Sequence, residues 1–250
     1  MKDVHPTGPN MTLPRPAAKA PGSNPCAACA VRDRAICAVL DEAELEQLSR
    51  LARASDLDVG RTVFFEGDDA DSLYVLIAGA LKLYKLLPDG RRQITGFLFA
   101  GDFLGLAFNE EYQFTAEALM PSRLCRLPRT KVEGLLPEMP KLASRLLNLA
   151  FTELASAQTQ MLLLGRKTAQ ERLASFLLHL ADRLAGQGDP VSLIHLPMSR
   201  ADIGDYLGLT VETVSRGVTK LKSAGLIALR DGNYVQIQDR PGLEAVAGDL

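Results

Sequence analysis

The 250-residue chain contains four cysteines, three of them within a dozen residues: Cys26-Ala-Ala-Cys29 and then Cys37. The fourth, Cys125, lies far away in sequence. Thiols this dense, in a chain with no mark of export, are metal ligands or redox groups more readily than disulfide partners. Four thiolates suit either tetrahedral zinc or an iron–sulfur cluster, and composition does not separate the two. Cysteines acting as small buried hydrophobes would account for Cys125 alone, but not for the N-terminal trio. A second group of chemically capable side chains sits near the other end, at Glu212, Ser215 and Arg216. Arg can grip O6 and N7 of guanine, Glu can accept from N4 of cytosine, and Ser can contact several base edges. His5, His179 and His195 have no evident nucleophile or metal partner, and neither a phosphate loop nor a carboxylate pair is evident. The chain does not read as an enzyme.

The elements that must hold Glu212, Ser215 and Arg216 lie between Pro197 and Leu226. Ser199 as N-cap, with Asp202 three residues on, opens a helix carrying Ile203 and Leu207. Gly208 tolerates the left-handed geometry that stops it. Thr210 caps a second helix, with Val211, Val214, Val218 and Leu221 at helical spacing. Two short helices around a tight glycine turn form a helix-turn-helix, whose second helix enters the DNA major groove. Glu212, Ser215 and Arg216 share its exposed face near the N-terminal end, with Lys220 and Lys222 behind. Residues Ile227 to Ile237 read as a hairpin turning near Asp231-Gly232, the wing of a winged helix.

The thiols need a different scaffold. Residues 1–25 hold six prolines and no hydrophobic periodicity, the signature of a disordered tail. Asp41 caps a helix with Glu44 at its third position, and Leu40 faces Leu45 as a hydrophobic staple. From Leu57 to about Leu127, strands of β-branched and aromatic residues follow: Thr62–Phe65, Ser72–Ile77, Ala80–Lys85 and Gln93–Phe99. Glycines at 60, 67, 79, 90 and 101 punctuate them as in a small antiparallel roll, with Pro88-Asp89-Gly90 at a hairpin tip.

Residues 138–164 form the longest helical pattern. Leu147, Ala150, Leu154, Ala157, Met161 and Leu164 alternate by three and four as a heptad-type seam. Leu142, Leu146 and Leu149 make a second stripe. One stripe can cover the roll; the other most simply meets a second copy of the same helix. Gly165 should break this helix, and Thr168 with Glu171 should cap the next, whose core stripe is Leu173, Phe176, Leu177, Leu180 and Leu184.

The composition is that of a globular protein: 47% hydrophobic, 23% charged, mean hydropathy +0.04. No run approaches the ~20 apolar residues of a membrane span, and the chain starts without a secretory signal pattern. A cytoplasmic location is the expectation. The net charge of −2 and pI near 6.0 are not those of a non-specific nucleic-acid binder. Residues 38–164 hold 13 Lys and Arg against 18 Asp and Glu, whereas residues 165–240 hold 10 against 8. The helix pattern, rather than charge, points to DNA.

Glu212-Thr213-Val214-Ser215-Arg216 resembles the recognition helix of the cyclic AMP receptor protein/FNR superfamily, in its FNR branch. The cyclic AMP receptor branch has Arg where this chain has Val211 and Gly where it has Ser215. The strands resemble that superfamily's β-roll, down to Gly101-Asp102-Phe103-Leu104-Gly105. The resemblance implies an α+β fold with an N-terminal cyclic-nucleotide-binding-like roll, a long dimerisation helix and a C-terminal winged helix-turn-helix. Its expected divisions are a tail at 1–25, the cysteine segment and roll at 26–137, the helix at 138–165 and the DNA-binding part at 166–250. It further implies a homodimeric activator reading TTGAT-N4-ATCAA-type palindromes in double-stranded DNA, with RNA polymerase as a partner.

FNR-type oxygen sensors hold an oxygen-labile [4Fe-4S] cluster by an N-terminal cysteine group and one later cysteine. That implies Cys26, Cys29, Cys37 and Cys125 as ligands here. Seven residues separate Cys29 from Cys37, where the best-known FNR pattern has five; the longer spacing resembles FnrN-type relatives. The same fold sensing through zinc or reversible thiol oxidation is the alternative. Cyclic nucleotide is not expected, because a phosphate cradle needs an Arg, and none occurs between Arg92 and Arg123. Nor does a Glu follow Gly105 to take the ribose hydroxyl.

Overall fold

The computed structural model describes residues 26, 28–106, 110–185, 192–231 and 233–248. The expected tail at 1–25 and the wing-turn glycine Gly232 lie outside the described residues. Strands β1 (Arg53–Leu57), β2 (Thr62–Phe64), β3 (Ser72–Ala78), β4 (Ala80–Leu86), β5 (Arg92–Phe99), β6 (Phe103–Leu104), β7 (Thr115–Ala118) and β8 (Ser122–Pro128) form two antiparallel sheets. Their orders are β1-β8-β3-β6 and β2-β7-β4-β5. The sheets close over Phe64, Tyr74, Leu76, Leu81, Leu98 and Leu124. β3 reads as a nearly unbroken apolar run because both its faces are covered. Tyr74 and Leu76 point into the roll, while Leu73 and Val75 meet an outer layer of Val31, Ile36, Leu45 and Leu48.

That outer layer is the cysteine segment and helix α1 (Glu42–Leu51). The Asp41–Glu44 capping box is formed with both bonds at 2.9 Å, and Leu40 and Leu45 are buried together. After α2 (Arg129–Leu135) comes the long helix α3 (Pro140–Arg166). Pro140 at its first turn sets its start two residues later than the sequence pattern suggests. Gly165 does not break it. A lone glycine costs a helix about 1 kcal/mol without ending it, and the chain turns extended only at Lys167.

The C-terminal part comprises α4 (Ala169–Ala185), β9 (Leu193–His195), α5 (Arg200–Leu207), α6 (Val211–Ser223), β10 (Ile227–Arg230), β11 (Tyr234–Ile237) and α7 (Arg240–Ala247). The wing hairpin pairs in register from Ile227↔Ile237 to Arg230↔Tyr234, and β9 adds a third strand. Strands β1 and β6 to β9 and helices α2 and α7 were not individually read from the sequence. β1 is a polar edge strand without alternation, β9 has three residues, and α7 has only eight.

The second sheet of the roll docks on this part. Phe97 of β5 packs on Phe176 of α4 and Tyr206 of α5, with ring centroids 6.1 and 5.2 Å apart. Arg183 of α4 pairs with Asp102 and also donates to the carbonyl of Phe97 at 2.8 Å. Among the described residues, no helix is long and apolar enough to cross a membrane.

Candidate cysteine centre and nucleic-acid interface

Folding brings the four thiols together. Cys26 and Cys29 lie in a turn closed by Cys29 N–H donating to the carbonyl of Cys26 at 3.3 Å. Cys37 is buried in a 3-10 turn, Ile36–Val39. Cys125 sits mid-strand in β8, flanked in register by Ala54 and Val75. Its odd position shares the outer face of Leu127, opposite Leu124 inside the roll, so it points to the cysteine segment. None of the four is in a disulfide.

Each perturbed thiol feels the others. Burial pushes Cys125 up to about 12, helped by the charges of Cys26, Cys29 and Cys37. Burial raises Cys26 to about 11, with Cys37 and Cys29 adding to it. Cys37 is also raised, by burial and then by Cys29. Among the described residues, no three His, Cys, Asp or Glu side chains converge on a single metal ion. Cys26, Cys29, Cys37 and Cys125 share one packed cluster on the outer face of the roll.

The centre presses on the long helix. Leu142 is fully buried beside Cys37, and Leu146 and Leu149 pack on the same cluster, as their stripe anticipates. Arg145 of α3 donates to the carbonyl of Arg34 at 3.2 Å. The opposite side of α3 is bare: Leu147, Phe151, Leu154 and Met161 are more than half exposed, with Ala150 and Ala157 between them. Leu164, the last position of the expected seam, is different. It packs on the core of the C-terminal part, because α3 ends there against α4 and α5. Phe151 extends the bare stripe, though the heptad count passed over it.

In the helix-turn-helix, the Ser199–Asp202 capping box forms as expected, and Gly208 adopts φ 63°. A side chain at Gly204 would meet the carbonyl of Leu209 at 2.6 Å, so glycine permits the close helix–turn approach. Thr210 accepts from Thr213 N–H at 3.2 Å. Val214, Val218 and Leu221 are buried; Val211 is instead 42% exposed, since the first turn projects beyond the core. Glu212, Ser215, Arg216, Thr219 and Lys220 stand exposed on the outer face. Backbone and Thr210 hydroxyl hydrogen bonds hold the Glu212 carboxyl below the usual range, with Arg216 assisting, so it is an ionised acceptor. Gln170 and Ala169 at the start of α4 border a shallow groove shared with Thr213, Arg216, Gly217 and Lys220. Sequence reading missed Gln170, for nothing in it marks which helix end lies beside α6.

The roll interior contains its own aromatic filling. Phe64 and Tyr112 stack with centroids 3.7 Å apart, and the Tyr112 hydroxyl donates to the Ser72 carbonyl at 2.7 Å.

Residues 171–246 match the Crp-like helix-turn-helix domain, and residues 56–138 match the cyclic nucleotide-binding domain. The chain is 43% identical to the nitrogen fixation regulation protein FixK of Bradyrhizobium diazoefficiens, over 91% of this chain and 95% of that one. It is 36% identical to the fumarate and nitrate reduction regulatory protein of Escherichia coli K12, over 89% and 90%. The solved structure of FixK2 from Bradyrhizobium japonicum superimposes with a TM-score of 0.75 at 36% identity, covering 80% of this chain and 98% of that one.

Proposed function

This chain belongs to the Crp/Fnr family of transcription regulators, and from that premise we propose that it is an oxygen-responsive homodimer controlled by a [4Fe-4S] cluster on Cys26, Cys29, Cys37 and Cys125. The gathering of those four thiols against α3 carries the proposal. The donor set fits the group: four sulfurs with no carboxylate or imidazole among them, in an apolar shell. Burial holds Cys26, Cys37 and Cys125 protonated, so binding a metal centre there would release protons. Four thiolates are a donor set that either an iron–sulfur cluster or a tetrahedral zinc accepts, and the resemblance to FNR-type sensors favours the cluster. When bound, such a cluster supplies an oxygen-labile inorganic core tying the N-terminal segment to β8.

The protein's own residues do the rest. Cys26, Cys29 and Cys37 fix the segment that packs on Leu142, Leu146 and Leu149, so its order bears directly on the face of α3 behind the bare stripe. Leu147, Phe151, Leu154 and Met161 then pair with a second copy, setting two recognition helices about one DNA turn apart. Arg216 reads guanine, Glu212 accepts from cytosine and Ser215 contacts a neighbouring base edge in each half of a TTGAT-N4-ATCAA-type palindrome. RNA polymerase is the expected partner of the bound activator. Cyclic nucleotide is not expected to take part, since the stretch between Arg92 and Arg123 offers no Arg for a phosphate.

Anaerobic purification, iron and sulfide assay, and operator binding before and after air exposure test this. Near-stoichiometric cluster with air-sensitive binding is expected. Bound zinc, or reversible thiol oxidation without iron, would replace the proposal with a same-fold regulator of different input.

A further inference from the structure

Arg172, near the start of α4, bonds three backbone carbonyls, one each from α3, α5 and the break between α3 and α4. Its Nε donates to Lys167 O at 2.9 Å, one terminal nitrogen to Leu207 O at 2.9 Å and the other to Leu164 O at 2.7 Å. Leu164 lies in the last turn of α3, Lys167 is the break after it, and Leu207 ends α5 at the helix-turn-helix turn. Helix ends leave such carbonyls without a partner in their own ladder. A guanidinium is a rigid planar fork, so three acceptors on one fork are fixed in position relative to each other. The turn closes on the same group: a side chain at Gly208 would lie 3.5 Å from the Arg172 guanidinium and 3.6 Å from Leu164. A second strut runs parallel, with Gln160 of α3 donating to the carbonyl of Tyr206 in α5 at 2.9 Å.

From this geometry, and resting on the dimeric operator binding proposed above, we infer that Arg172 is a positioning residue that sets half-site spacing by locking the helix-turn-helix to the dimerisation helix. α3 carries the dimer axis and α6 carries the base-reading residues. The distance between the two recognition helices is therefore set by the angle at the α3–α4–α5 junction, which Arg172 holds from within. Base choice inside a half-site depends on α6 alone and is independent of it.

The test uses the full-length protein, purified anaerobically, as wild type, Arg172→Gln and Arg172→Lys. Binding is measured on the palindrome and on duplexes with one base fewer or one more in the spacer. Wild type should prefer the parent spacer, and both variants should lose about tenfold or more of that preference. Their ranking of altered half-sites and their sedimentation as dimers should stay as in wild type. Lys should not rescue, since it supplies a point charge without the fork. A folded variant with the wild-type spacing ratio, or with equal weakening on every duplex, overturns the inference. If neither variant folds, Gln160→Ala decides by the same ratio: a smaller flattening is expected, and an unchanged ratio overturns it. Wild type that ignores the palindrome would fail earlier, and the failure would belong to the operator proposal.

Discussion

Lys82 of the roll and Asp202 of the helix-turn-helix meet in a buried ion pair, Nζ to Oδ1 at 3.1 Å, though 120 positions apart. Lys82 also holds Glu117 at 3.0 Å, and Arg92 bridges Asp202 and Asp205 at 2.8 and 2.7 Å. The other oxygen of Asp202 closes the capping box, taking Ser199 N–H at 3.0 Å and its hydroxyl at 2.6 Å. One carboxylate thus caps the first DNA-binding helix and docks it on the sensor roll.

Asp202→Asn should destabilise the protein by about 3 kcal/mol, the low end for losing one member of a buried pair, because Lys82 keeps Glu117. Denaturant unfolding of both proteins measures it; a loss under ~0.5 kcal/mol, as at an ordinary surface site, would mean the pair is dispensable.

The same group gives a pH signature. Burial pushes the Asp202 carboxyl up, but the Ser199 hydrogen bonds and Lys82 outweigh it and leave it below the usual range. A depressed folded-state value contributes stability present above the unfolded pKa of about 4 and lost as pH falls through the folded value. Wild type should shed this increment on acidification, and Asp202→Asn should not. Parallel stability–pH curves for the two would rule the linkage out.

Replacing any one of the four cysteines by Ser should abolish oxygen-dependent operator binding while the roll stays folded, because the proposed cluster takes each thiolate as one of four ligands. Cys125→Ser is the sharpest case, since β8 remains in register between β1 and β3. If that variant kept a full air-sensitive iron and sulfide complement, the ligand set would be wrong.

Arg216→Ala should weaken operator binding by about 1–3 kcal/mol per half-site and relax the choice of the G·C pair. Lys220→Ala should weaken every sequence alike if it meets phosphate. Competition binding with a substituted operator series separates the two behaviours. Uniform loss in Arg216→Ala would make it a backbone contact.

Ala157→Asp should shift the apo protein toward monomer. Ala157 lies on the bare stripe between Leu154 and Met161, and two carboxylates pressed together across a dimer seam must repel or take up a proton. Sedimentation across concentration compares it with wild type. Superimposable curves would exclude Ala157 from the seam.

Local chemistry made much of this protein legible from its sequence. The capping boxes at Asp41 and Ser199, the glycine turn at Gly208 and the strands around Gly79 depend on neighbours a few residues apart, and each formed where its residues indicated. The periodicity of α3 separated a stripe facing the roll from a bare one. Elements without a local signal stayed hidden: polar β1, three-residue β9, short α7. The tertiary fold alone decided what depends on distant partners. Cys125 and Cys37 become neighbours because β8 presents its outer face to the cysteine segment. Leu164 leaves the seam because α3 ends inside another core. Arg172 looks like an ordinary surface charge in sequence, and Asp202 like no more than the capping partner of Ser199. Their partners are backbone carbonyls and cations that no spacing encodes, and only the packed junction aims those groups at one another.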